Sequence, residues 1–213
     1  MSSEYVFDLD AGRLCLDFAN TLSPSSGEHL KSYVDVLAFA RQAQLLTPDE
    51  ADRLQQRSEQ EPHKARRALQ AALQLRHAIR EIFFAIAAGG SASEEDVAEL
   101  NRYVGSSLAH ARLVPERTDD DDARTSYRWG WAGDDLEWPT WPVCRSAADL
   151  LTNDAELKLV RQCGGSTCEW LFLDNSKNRS RQWCSMQSCG NREKARRHYQ
   201  RLRAAQHGVS SRR

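Results

Sequence analysis

The sequence predicts a mainly helical chain with one small β-hairpin, an α+β arrangement that closes in a compact cysteine-bearing module. Three observations carry this. From Ser32 to Leu108 apolar residues recur at helical spacing between strong capping signals. After Leu113 the pattern turns to alternation. Finally, four of the six cysteines, Cys163, Cys168, Cys184 and Cys189, fall within 27 residues. With 213 residues, 40% hydrophobic and 28% charged, the chain has room for one ordinary domain plus something small, and it can bury a true core. The longest apolar run, Ile82 to Ala88, is far short of the ~20 residues of a membrane helix. No basic stretch leading into an apolar one opens the N-terminus, so no secretory signal is expected there.

Taken in order, Leu14, Leu16 and Phe18 alternate with Arg13, Cys15 and Asp17, which predicts a short strand or extended segment. Ser23-Pro24-Ser25-Ser26-Gly27 breaks it. Ser32 to Leu46 reads as a helix, with Ser32 as N-cap and Asp35 three positions on. Thr47-Pro48-Asp49-Glu50 starts another, because Thr47 and Glu50 can satisfy each other's free N–H groups and Pro48 suits the first helical position. Glu61-Pro62 interrupts it and can open the next.

Lys64 to Ala88 is the longest pattern, apolar over so wide an arc that it is expected at the centre of the bundle. Gly89-Gly90 stops it, and Ser93 caps a further helix bearing Val97, Leu100, Val104 and Leu108. Tyr127, Trp129 and Trp131 share one face of a hairpin whose turn is the acidic run Asp119 to Asp122. Thr140 can cap a helix from Trp141 to about Leu151, and residues 152–156 are the expected boundary before the cysteine module. The expected organisation is therefore a helical body over 1–155, a finger with a basic helix over 156–206, and a disordered basic tail over 207–213.

Charge divides along the same line. From Arg161 onward there are twelve Lys/Arg against three Asp/Glu, leaving seventeen against twenty-seven before it. An acidic body carrying a basic C-terminal quarter points to a polyanion as the partner of the tail. The cysteine spacing is Cys163-x4-Cys168, fifteen residues, then Cys184-x4-Cys189. In a reducing, cytoplasmic setting two close pairs read as a metal site, and four thiolates suit one tetrahedral Zn²⁺. Gly164-Gly165 and Gly190 can supply permissive backbone for the turns. His198 and His207 are alternative ligands that four sulfurs do not need. A four-sulfur site leaves no open coordination position, so its role is folding rather than catalysis.

Between the pairs, Trp170 and Trp183 are expected as a small core under the metal. Asp174 to Arg181 is a polar turn carrying the cations Lys177, Arg179 and Arg181. After Cys189, Asn191 to Arg203 is helix-permissive, with Ala195, Tyr199 and Leu202 as a narrow apolar stripe that can dock on the finger. Lys177, Arg179 and Arg181 of the turn, with Asn191, Arg192, Lys194, Arg196 and Arg197 of the helix, are the candidate nucleic-acid residues, expected to face phosphates or base edges.

These residues carry a resemblance. The run Cys163-x4-Cys168-x-Trp170-x-Phe172-x-Asp174-x-Ser176, continuing through Ser180-Arg181-x-Trp183-Cys184-Ser185-Met186 to Cys189-Gly190-Asn191-Arg192-x-Lys194, resembles the CGNR zinc-finger family. Upstream, Leu16-Asp17-Phe18-Ala19-Asn20-Thr21 and the Arg-bearing Leu75 to Glu81 are similar to the ABATE domain that precedes this finger. The resemblance implies a stress-related transcriptional regulator of bacterial type with a treble-clef-like finger. It also implies one structural Zn²⁺ on Cys163, Cys168, Cys184 and Cys189, and DNA as the finger's partner.

For the body, Asp17, Asn20, Arg76 and Arg80 are candidate ligand-binding residues. Asp17, Asn20 and Thr21 can line a cleft or satisfy local backbone. Arg76 and Arg80 can hold an anionic effector or pair with buried acids such as Asp17. A homodimer is a further expectation. Cys15 and Cys144 read as buried small hydrophobes. There is no nucleophile elbow, HExxH, Walker loop or dinucleotide turn, so no catalytic residue and no enzyme is expected. The competing expectation is a zinc-stabilised protein-docking or RNA-binding module without DNA specificity.

Overall fold

The computed structural model describes residues 5–116, 126–131 and 133–210. The segment expected as a strand is instead a helix, α1 (Leu14–Ala19). Cys15, Leu16, Phe18 and Ala19 are all fully buried and Asp17 nearly so, so the apparent alternation was not between a wet and a dry face. Burial around the whole circumference decides for helix. A minimal hairpin follows, β1 (Leu22–Ser23) with β2 (Gly27–Glu28).

Helix α2 (Tyr33–Gln42) starts where expected, Asp35 accepting the Ser32 N–H at 2.7 Å, but ends four residues early. Gln44 adopts φ +57°, the Leu45 N–H reaches back to Ala40 O at 2.8 Å, and the Gln44 N–H to Arg41 O at 3.0 Å. This is a left-handed helix stop built without glycine. Helix α3 (Pro48–Gln60) has the reciprocal Thr47–Glu50 cap.

Helix α4 (Pro62–Ala87) is central, packing against α1, α2 and α3 and against elements that follow it. Its buried stripe runs Ala65, Ala68, Ala72, Leu75, Ile79, Ile82, small at one end and large at the other. It ends in the same kind of stop, with Gly89 at φ +81°. Helix α5 (Glu94–His110), capped by the Ser93 hydroxyl, leads directly into β3 (Ala111–Glu116). This pairs antiparallel with β4 (Ser126–Trp131) in a register that puts Leu113 opposite Trp129 and Pro115 opposite Tyr127. The acidic turn expected between them lies outside the described residues.

A 3₁₀ turn (Trp138–Thr140) runs straight into α6 (Trp141–Leu151). Thr140 therefore does not cap α6 by its side chain; its hydroxyl donates to Glu137 O at 2.8 Å, closing the 3₁₀ turn instead. After α7 (Asp154–Leu157) comes the antiparallel pair β5 (Val160–Gln162) and β6 (Leu171–Leu173). A π-helical turn (Met186–Gly190) opens α8 (Asn191–Ser210), which is helical beyond residue 207, where a tail was expected.

The β5–β6 pair is part of the body's core. Leu171 and Phe172 are fully buried, and both strands pack on α4. The Asn20 carboxamide acts as a peptide-like partner to Leu171, accepting its N–H and donating to its carbonyl, each at 2.9 Å. The Leu173 N–H donates to Ala11 O at 2.8 Å, and Arg13 pairs with Glu156. Gly12, at φ +90°, lies so near Leu173 that an added Cβ would meet that side chain at 3.3 Å. No described helix is long and apolar enough to cross a membrane.

Candidate metal centre and its basic surface

Cys163 leaves β5 and Cys168 enters β6, so the hairpin presents the first pair of sulfurs. Cys184 precedes the π-helical turn and Cys189 lies in it, so the start of α8 presents the second. All four Sγ atoms lie within 4.8 Å of one another, and all four residues are buried. Cys184 Sγ is 3.8 Å from Cys168 Sγ and 3.7 Å from Cys189 Sγ. A tetrahedron with Zn–S bonds of about 2.3 Å has edges of about 3.8 Å. The donor set and spacing therefore fit Zn²⁺.

Charge argues the same way. Thiol donors from Cys168 and Cys184 favour a thiolate on Cys163, while that thiolate raises the proton affinity of its neighbours. Sulfurs crowded this closely carry several negative charges only around a cation. The glycines serve by leaving space rather than by the permissive dihedrals expected of them. A Cβ on Gly165 would meet Cys168 Cβ at 3.2 Å, and one on Gly190 would meet Met186 Sδ at 2.7 Å. His198 is on α8, ring to ring with Tyr199, outside the cluster.

Two carboxylates brace the centre. Asp174, completely buried, accepts from the Ser176 N–H (3.0 Å) and hydroxyl and from the Arg181 N–H (3.1 Å), closing the polar turn on itself. Those bonds hold its carboxyl below the usual range. Glu193, on the first turn of α8, accepts from the Ser166 N–H (3.0 Å) and hydroxyl (2.7 Å), which holds its carboxyl at about 2. It thereby ties α8 to the loop between Cys163 and Cys168. Asp174 lies in an Asp-x-Ser pattern that advertises such a turn; nothing local marks Glu193.

The candidate nucleic-acid residues divide into engaged and free. Arg181 lies over the Phe172 ring at 4.5 Å, donates from Nε to Trp183 O at 2.9 Å and also bonds Cys184 O, so it clamps the metal loop. Arg179 donates to Asp174 O at 2.7 Å, Asn191 to Gln187 O, Arg192 to Thr167 Oγ1, and Arg196 pairs with Glu193. Lys177, Lys194 and Arg197 are exposed and make no bond or ion pair among the described residues. Trp170 and Trp183 are half-buried against the core, as expected. The expected docking of the α8 stripe is not seen at Ala195 or Tyr199: Ala195 is exposed, and Tyr199 is 66% exposed.

Each of the four body residues singled out has a partner, which for Asn20 and Arg80 lies in the finger. Asp17 accepts the Ala11 N–H at 2.9 Å, and burial pushes its carboxyl up to about 7. Asn20 clamps β6. Arg76 meets Glu28 and Thr21 Oγ1, so its acid is Glu28 and not Asp17. Arg80 donates to Ala19 O (3.1 Å) and Leu22 O (2.8 Å) and reaches Glu169 at 3.3 Å. Cys15 and Cys144 are fully buried thiols that burial pushes up to about 12, and they are inert on that account.

A helical body that buries the hairpin of a closed four-thiolate site, with a basic helix leaving that site, defines a zinc-finger protein built on one structural zinc ion. The chain belongs to the ABATE family. That family's model, described as "Putative stress-induced transcription regulator", matches residues 12–154, and the CGNR zinc-finger model matches residues 160–202. No curated protein matches the chain closely.

Proposed function

We propose that the chain is a zinc-dependent DNA-binding transcriptional regulator whose finger meets the duplex while the body senses an effector or pairs with a second copy. One observation carries the DNA reading. Of the three acids from Arg161 onward, Asp174 and Glu193 are buried in hydrogen-bond networks, and Glu169 faces the body's Arg80. The outward surface is therefore cationic and almost unopposed, and Lys177, Lys194 and Arg197 are free to meet phosphates. Arg192 and Arg196, each with one internal partner, keep donors to spare. Phe172 is buried, which argues against the stacking that single-stranded RNA recognition relies on. The effector half of the reading is supported by a cleft of about 530 Å³ between α2 and α3, rimmed by the stacked pair Tyr5 and His29. Glu28, the partner of Arg76, forms part of its wall.

Fluorescence anisotropy with duplex DNA over a salt series tests the reading. About five phosphate contacts give log K against log salt a slope near −4.5. Equal binding by the wild type and an Arg192→Ala/Arg196→Ala/Arg197→Ala variant is incompatible with this surface. Preference for a structured or single-stranded RNA in competition favours the RNA alternative.

A further inference from the structure

Beside the metal centre, β5, the polar turn and α8 enclose a cleft of about 440 Å³. Arg161, Arg179, Arg181 and Arg197 line it with Trp183, and no acidic residue does. Arg161 lies upstream of the motif residues and belongs to none of the candidate surfaces above.

Four like charges around one small space repel one another, so such a grouping needs an anion or strong internal anchors. The anchors are present. Arg161 Nη1 donates to Lys158 O and Val160 O, both at 2.8 Å. Arg179 and Arg181 are held by the carbonyls already described. Each anchor is a carbonyl, which fixes the guanidinium without neutralising it and leaves further N–H donors on the same planar group. Asp174, close enough to Arg161 to feel its charge, is buried and already accepts several hydrogen bonds, and Glu193 is taken up by Ser166 and Arg196.

Arg179 adds a second sign. Its backbone is left-handed at φ +50°, a conformation that glycine adopts freely and that costs other residues roughly 1–2 kcal/mol. A charged side chain is kept where a turn alone favours glycine, and such strain collects at sites of function.

We infer that this cleft is an oxyanion site that seats a phosphate group. This rests on the DNA reading when the phosphate belongs to a duplex backbone. A soluble phosphorylated molecule offers the same chemistry. Forked guanidinium donors match phosphate oxygens, and Trp183 provides a flat apolar wall beside them.

Inorganic pyrophosphate is the probe, titrated into zinc-loaded full-length protein while the Trp183 indole N–H resonance is followed. Saturable movement is expected, about tenfold weaker in Arg161→Gln and in Arg197→Gln. Arg197 makes no internal bond, so its variant keeps the test valid should Arg161→Gln disturb β5. In a parallel DNA salt series, a backbone phosphate in the cleft lowers the slope by about 1 in each variant, and duplex displaces pyrophosphate. Pyrophosphate binding that duplex does not displace, with slopes unchanged, supports the site with a soluble ligand. No movement at Trp183, together with an unchanged slope in Arg161→Gln, overturns the cleft while DNA binding by wild type still stands. Absence of any wild-type DNA binding overturns the DNA reading and leaves the pyrophosphate result to decide the cleft.

Discussion

The two halves of the finger are held by different forces. Its hairpin, β5–β6, is an extension of the body's core: Val160, Leu171, Phe172 and Leu173 are buried against α4, and Asn20 supplies β6 with a borrowed hydrogen-bond partner. Its other half, the π-helical turn and α8, rests on its own first turn and on four sulfurs, with Tyr199 left in solvent. One half is fixed by the hydrophobic effect and the other by a metal and by Glu193. The contrast explains how a short basic helix can be aimed from a rigid platform. Zinc joins a half already in place to one otherwise tied to it by hydrogen bonds such as Ser166 to Glu193 and Arg192 to Thr167.

The largest effect that sharpens this contrast is loss of the metal. In small fingers structural zinc contributes roughly 10–16 kcal/mol of apparent binding. Cys189→Ser is expected to abolish stoichiometric zinc by elemental analysis and to remove much of the α8 signal in circular dichroism. The body should still unfold cooperatively. Collapse of the whole chain on losing this sulfur would show that the hairpin is not independently held.

Next comes Asn20→Ala, which breaks the contrast from the other side. It leaves the Leu171 N–H and carbonyl buried and unpaired, at a cost of about 3 kcal/mol in urea denaturation. Because the change lies in the body, it is expected to destabilise body and hairpin together while zinc stoichiometry stays at one.

Asp17→Asn follows. The folded-state carboxyl is raised to about 7, against an ordinary 3.8, so the folded form holds a proton that the unfolded form releases between those values. Stability from this group is fully present below about pH 4 and falls as the pH rises towards 7. Asparagine still accepts the Ala11 N–H and carries no charge. The variant should gain a few kcal/mol at pH 8, at most about 4 from a shift of this size, nothing at pH 4, and show a flatter pH profile. A parallel shift at both pH values would mean that Asp17 is not buried as described.

The smallest change in stability is expected from Arg197→Ala. Its exposed side chain has no partner among the described residues, so the free energy of unfolding should hold to within about 0.5 kcal/mol. The DNA salt slope is expected to lose about one unit.

Much of this could be read in advance, and what could not has physical reasons. The zinc ligands follow from spacing alone, because four sulfurs in two close pairs leave few alternatives. The caps at Thr47 and Ser93 and the stop at Gly89 were readable because the residue types are specific to those conformations. The end of α2 was not, since Gln44 takes the conformation usually marked by glycine. Helix α1 is hidden in the sequence because Cys15 alternates with Leu14 and Leu16 as a polar residue would, yet it is as buried as Leu16. The roles of Asn20, Arg80 and Glu193 were out of reach for another reason. Each is set by a partner distant in sequence: Leu171, Glu169 and Ser166. Charge counting marked the finger as basic, yet only the fold separates Arg181, which clamps the metal loop, from Arg197, which is free.

Hydrogen exchange of the full chain with zinc bound and after chelation tests the joining role of the metal most directly. Amides of Met186–Gly190 and the first turns of α8 should lose protection on chelation by at least a hundredfold, while Leu171 and Leu173 keep theirs. Equal loss in hairpin and helix, or no loss in either, is incompatible with a metal that fastens a free half to a buried one.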